Sequence, residues 1–163
     1  MIAFGKDNAT QYKGIPFLLE SHDNPDNELS LRIALPAIGE PLTENEFVGY
    51  PAKVGDILKE SVPIEPDEKQ IYQIVFPSYI TYLMRNESYC SPDPCEIREG
   101  THFTIYTKSR LLDSLPILTD CQTLSDGTPY PYPWKHYGII TNNHVIDVIS
   151  GDEPIITKIN IER

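Results

Sequence analysis

Four histidines, His22, His102, His136 and His144, are the side chains of this chain whose ordinary pKa lies near neutrality. A general base would therefore come from them or from a carboxylate raised by its surroundings. Spacing alone assembles no nucleophile, base and orienting acid from these residues. If residues 144–149 form a strand, alternation puts His144 on one face with Ile146 and Val148, and Asp147 on the other with Val145 and Ile149. A polar residue at each of two apolar-facing positions fits a ligand cavity, and strand-end and edge positions give the same pattern. His102, His136, His144 and Asp147 are the catalytic candidates on this ground.

The segment Cys90-Ser91-Pro92-Asp93-Pro94-Cys95 places two thiols where they could hold a metal or form a redox disulfide. A structural zinc site takes two ligand pairs, and no second Cys/His pair follows at finger-like spacing. The two prolines exclude a C-x-x-C motif and read as a rigid turn. Cys90 and Cys95 are metal candidates by residue type only, the expectation is ordinary thiols, and no cofactor is expected.

Tyrosines offer apolar bodies with polar tips, so the set Tyr72, Phe76, Tyr79, Tyr82 and Tyr89 could line a pocket in a curved sheet, with core packing as the rival. Thr128-Pro129-Tyr130-Pro131-Tyr132-Pro133-Trp134 alternates proline with aromatic rings and reads as an extended, rigid crossover packed on the domain surface, with a groove-docking ligand segment as the rival. Tyr72, Tyr79, Tyr82 and Trp134 are the ligand-binding candidates. Glycine-rich phosphate loops, a Gly-x-Ser-x-Gly elbow and a His-Glu-x-x-His pair are all missing, which leaves nucleotide-dependent, serine-hydrolase and zinc-protease readings without support.

The chain has 163 residues and a formal net charge of −11, which would repel a phosphate backbone, and its lysines and arginines form no stripe. Nucleic-acid binding is not expected. A start that reaches Lys6 and Asp7 within a few residues has no apolar segment for a secretory signal, and no run approaches the ~20 apolar residues of a membrane helix. The expected location is the cytoplasm, where Cys90, Cys95 and Cys121 stay free and the sequons at Asn8 and Asn86 carry no sugar.

Strict alternation makes residues 29–35 a strand with one buried face, and the 15–20 run is its hairpin partner across a long turn. Tyr72, Ile74, Phe76, Ile80, Tyr82 and Met84 share one parity, giving either one bent strand or two strands broken at Phe76-Pro77. Residues 101–107 form a strand leading into a short helix that starts near Ser109 and stops at Pro116. A second helix is expected at 51–60, and Thr43-Glu44-Asn45-Glu46 fits a capping box. Residues 137–149 form either a hairpin turning at Asn142-Asn143 or one bulged strand, and Gly151-Asp152-Glu153-Pro154 makes 155–161 a return strand.

The fold class these elements define is α+β: a single globular domain over residues 1–163, dominated by a curved, mainly antiparallel β-sheet with one or two short helices. The functional expectation is a non-catalytic soluble domain that binds a protein partner, or itself, through an acidic and tyrosine-rich surface, in the manner of an inhibitor or immunity protein. The alternative is a small-molecule binder or unclassified enzyme with a cavity under the sheet, using the histidines with Asp147.

Overall fold

A computed structural model describes residues 2–41, 49, 51, 54 and 61–159. Among them, two antiparallel sheets and one α-helix account for most of the ordered backbone, in agreement with the α+β expectation. The capping box at 43–46 and most of the 51–60 helix lie outside the described residues.

The first sheet has the order β1-β2-β3-β11, from β1 (Phe17–Asn24), β2 (Glu28–Ile38), β3 (Ile64–Phe76) and β11 (Ile155–Ile159). β1 and β2 form the expected hairpin, but the turn is only Pro25-Asp26-Asn27, with Asn27 at φ 58° in the left-handed region that asparagine tolerates. Pro36, which cannot donate to a ladder, sits where β2 slips register against β3.

The second sheet has the order β4-β10-β9-β6-β5, from β4 (Tyr79–Asn86), β5 (Ile97–Glu99), β6 (Phe103–Lys108), β9 (Lys135–Ile140) and β10 (His144–Ser150). A short ribbon of β7 (Gln122–Thr123) and β8 (Pro129–Tyr130) stands apart. Residues 137–149 are the hairpin of the two alternatives, with Val145 opposite Ile140 and Thr141 N–H donating to His144 O. The chain changes sheet twice, at Pro77-Ser78 and at 151–154. Residues 71–84 are therefore two strands, and the return strand β11 pairs with β3 and not with its sequence neighbour β10.

The alternating apolar residues explain why two sheets form. Leu29, Leu31, Ile33, Ile74 and Phe76 from the first sheet and Phe103, Ile139, Ile146 and Val148 from the second make one buried cluster. Each sheet closes one face of that core. The second sheet's outer face carries the other parity, and there the helix α1 (Arg110–Leu118) packs Leu115 against Ile149 and Cys121, with Trp134 at the margin. α1 runs through Pro116 and ends with Thr119 N–H on Leu115 O. A proline there loses one bond in the last turn, on a segment whose Pro116, Ile117 and Leu118 face solvent, so the helix outlasts the residue expected to stop it.

Candidate functional site

The outer face of the second sheet carries a row of polar side chains that crosses all five strands. Hairpin register creates it. With Val145 opposite Ile140, His136 lies opposite Ile149, which sets His136 diagonal to Asp147 on the same face. On the other side Arg85 is opposite Val145, again one diagonal step from Asp147.

Asp147 is 2% exposed and has a partner on each oxygen. His136 Nε2 lies 2.9 Å from Oδ1, and Arg85 Nη2 donates to Oδ2 at 2.6 Å. Burial works against the Arg85 charge, but Asp147 more than offsets it and holds the guanidinium pKa above its ordinary value. His136 Nδ1 lies 2.8 Å from Ser109 Oγ, and that oxygen also accepts Leu112 N–H as the cap of α1. One assignment satisfies every group: the Ser109 hydroxyl donates to Nδ1, and Nε2–H donates to Asp147. On the far side the Tyr106 ring stacks on His136, centroids 4.2 Å apart at 14°, and Arg98 Nη1 donates to the Tyr106 hydroxyl at 3.1 Å.

This chain has the order of a nucleophile-activating relay, serine to imidazole to carboxylate. Ser109, however, is 1% exposed, and its oxygen is engaged as the helix cap. His136 and Asp147, themselves buried, form the floor of a cleft of about 610 Å³ between α1 and the 87–96 segment, which Ser109 does not line. Its walls include Leu83, Leu111 and Leu118, with Tyr89 at the 3-10 turn Glu87–Tyr89. The cleft is therefore on the outer face of the sheet, roofed by the helix.

Arg110 and Asp93 form a second ion pair at the cleft wall. The Cys95 backbone N–H and then Arg110 hold the Asp93 carboxyl below the usual range, and Asp93 in turn raises Arg110. The elements of this wall are local: Asp93 Oδ1 accepts Cys95 N–H at 2.9 Å, an Asx turn that the prolines on either side make rigid.

The remaining candidates lie elsewhere. His102 is buried on Asp7, whose carboxylate also accepts the backbone N–H groups of Thr101, His102 and Phe103, so this pair staples the N-terminal segment to β6. His144 is half-buried at the start of β10, and its Nδ1 has no hydrogen-bond partner among the described residues. Tyr72 is core and donates to Gln70. Tyr79 and Tyr82 meet edge to face at 5.1 Å and both donate to Asp23, clipping the β1–β2 hairpin to β4. Trp134 packs beside Leu115 and Ile149. Cys90 borders the cleft and donates to Asn86 O, Cys95 is exposed, and both are free thiols. Among the described residues no group of three or more His, Cys, Asp or Glu is placed to hold a metal ion, and no helix is long and apolar enough to cross a membrane.

Arg85, Ser109, Arg110 and Asp93 also belong to the site, and no motif or spacing in the sequence marks them for chemistry. One signal was available for Arg85: it alternates with Leu83 opposite the apolar Tyr82 and Met84, which puts a lone cation on the Asp147 face. No family model, curated protein or solved structure matches this chain.

Proposed function

We propose that this protein binds a small organic molecule in the cleft between α1 and the 87–96 segment. The observation that carries the reading is the Asp147 carboxylate, almost fully buried and held from both sides by His136 and Arg85, at the floor of a leucine-walled hollow of about 610 Å³. Burying a carboxylate costs several kcal/mol unless it is paired and hydrogen-bonded. Here the network meets that demand and also fixes three polar groups of adjacent strands in one geometry. Convergent polar groups inside an apolar hollow of roughly 300–1,000 Å³ are the ordinary form of a ligand site.

The reading is one of binding, because the hydroxyl that could act as a nucleophile is enclosed beneath α1. It takes precedence over a protein partner because the cleft supplies side chains at fixed distances, whereas net charge supplies none. A second hollow at Tyr132, Pro133 and Gly151 has Asp152 as its one ionisable carboxylate among the lining residues and brings no such groups together.

A fragment screen by amide chemical-shift perturbation tests the reading. Hits should cluster on Leu83, Tyr89, Leu111 and Ser114. Hits scattered over the two sheets, or none at millimolar fragment, overturn it.

A further inference from the structure

Building on the binding role assigned to this cleft, we infer that its occupant is an organic acid: a carboxylate head engaging Arg85 and Arg110, with an apolar body against Leu83, Leu118 and Tyr89.

The cleft's acceptors are largely taken. Both oxygens of Asp147 have donors, and its side chain is 4% exposed. Both oxygens of Asp93 have donors too, Cys95 N–H and Arg110 Nε, and its side chain is 13% exposed. Glu96 is half-buried and accepts Arg110 N–H through Oε1; among the described residues its Oε2 is the one lining carboxylate oxygen without a hydrogen bond, and its charge acts on both Arg85 and Arg110. A cationic ligand would find little free acceptor capacity here.

The donors are open. Arg85 uses Nη2 alone and Arg110 uses Nε alone, so of the five N–H groups of each guanidinium most have no partner in the described structure. Their side chains are 43% and 83% exposed. The ion pair from Asp147 anchors Arg85 without consuming its fork, which leaves a planar donor edge suited to two carboxylate oxygens. The walls supply the other half of the specificity. Leu83, Leu118 and Tyr89 are exposed large apolar residues lining the same hollow, and an apolar body laid on them gains the transfer free energy of its buried methylenes. Water-soluble dicarboxylates and sugars lack that body, and neutral lipids lack the head.

Octanoate tests this against octanamide and octylammonium, which match its length and differ in head charge. Titrated into the full chain and followed by calorimetry and amide shifts, octanoate should bind at the cleft about tenfold more tightly than octanamide, with octylammonium weakest. Arg110→Gln, on an exposed side chain, and Arg85→Lys, which keeps the charge but not the fork, should each weaken octanoate several-fold and octanamide, whose carbonyl accepts without a charge, by less, so that the preference for the acid narrows. If all three ligands shift the cleft amides with equal affinity, the acid assignment falls while the cleft remains a binding site. If none shifts them, and the fragment screen is also empty there, the binding role itself fails. Perturbations that gather on the Tyr79–Tyr82 face instead overturn the location.

Discussion

The imidazole of His136 and the phenol ring of Tyr106 lie nearly parallel, 14° apart, across a pair of residues in register on β9 and β6. Gly138 makes that stack geometrically available: a Cβ there would strike both Thr104 Oγ1 and the edge of the Tyr106 ring. The bare backbone of β9 thus lets the ring lie down on the sheet and press on the imidazole.

Replacing Gly138 by alanine should therefore destabilise the fold. Alanine lowers the entropy of the unfolded chain, worth about 0.5–1 kcal/mol in favour of folding, but overpacking a buried site costs about 1–3 kcal/mol, so the clash wins. Urea unfolding should place the net loss near 1–2 kcal/mol, and the His136 ring nitrogens should shift in the nuclear magnetic resonance spectrum as the stack tilts. A neutral or stabilised variant would mean that Tyr106 swings away freely.

Asp147→Asn keeps the volume and removes the charge shared by His136 and Arg85. The amide accepts from only one side, so either a donor faces a donor or His136 switches tautomer and donates from Nδ1 to Ser109, and the lost charge-assisted bonds cost about 1–3 kcal/mol. Arg85 is partly exposed and recovers some solvation, which keeps the loss below that of a fully buried pair. A cycle of Asp147→Asn with Arg85→Leu should return a coupling of about 1 kcal/mol or more by equilibrium unfolding. Additive losses would show the contact to be energetically idle.

Ser109→Ala removes a helix cap and orphans the Nδ1 acceptor of His136 in one step. The cap alone is worth about 1 kcal/mol, and the unsatisfied ring nitrogen adds about 1–3 kcal/mol. Ser109→Thr retains both hydrogen bonds and should recover most of the loss. The two variants separate capping and relay from mere packing, read by unfolding midpoint and by the helical amides of residues 110–113.

Local sequence pattern specifies the position of some of these residues and not of others. The face of Asp147 follows from alternation within one strand, because Val145 and Ile149 share its parity. His136 does not follow, since its place beside Asp147 depends on whether 137–149 turns or bulges, and a one-residue slip of register would send it to the core. The β1–β2 hairpin and the antiparallel character follow from local pattern. The division into two sheets does not, because what sends Phe76-Pro77 and Gly151-Asp152 across the core is the shared burial of both parities, a property of no single segment. Ser109 carries the signature of a helix start. Its second role needs α1 to fold back over β9, which no local spacing encodes. Asp7 lies far from the residues 101–103 that it binds, beyond the reach of any short motif.

The Asp93 carboxyl, held below the usual range by Cys95 N–H and Arg110, sets a pH limit on the cleft wall. Because its folded pKa is depressed, the stabilisation it provides is complete above the ordinary carboxylate pKa and disappears as pH falls through the lowered one. The Cys95 amide resonance should therefore titrate at lower pH than an unfolded aspartate would, and Asp93→Asn should abolish the transition. A midpoint at the ordinary value would contradict the Arg110 pairing.

Tyr12 gives the corresponding limit in base. Its ring lies edge-on to His102 and Phe103, and burial, followed by the nearby charge of Asp7, pushes its hydroxyl up to about 12. The folded state thus holds this proton more tightly than the unfolded chain, in which tyrosine ionises near 10. The sign is opposite to that of Asp93: the contribution to stability is complete below about pH 10 and is lost as pH rises toward 12. Alkaline titration of tyrosinate absorbance, taken as the difference between the native sequence and Tyr12→Phe, should show one group ionising near 12 and coinciding with release of the N-terminal staple. Asp7→Asn removes one of the charges that oppose ionisation, so it should lower that midpoint while the hydrogen bonds to Thr101 and Phe103 weaken. If the Tyr12 difference instead titrates near 10, the segment from Ile2 to Tyr12 is not docked on β6 in solution, and the Asp7 contacts that hold His102 in place go with it.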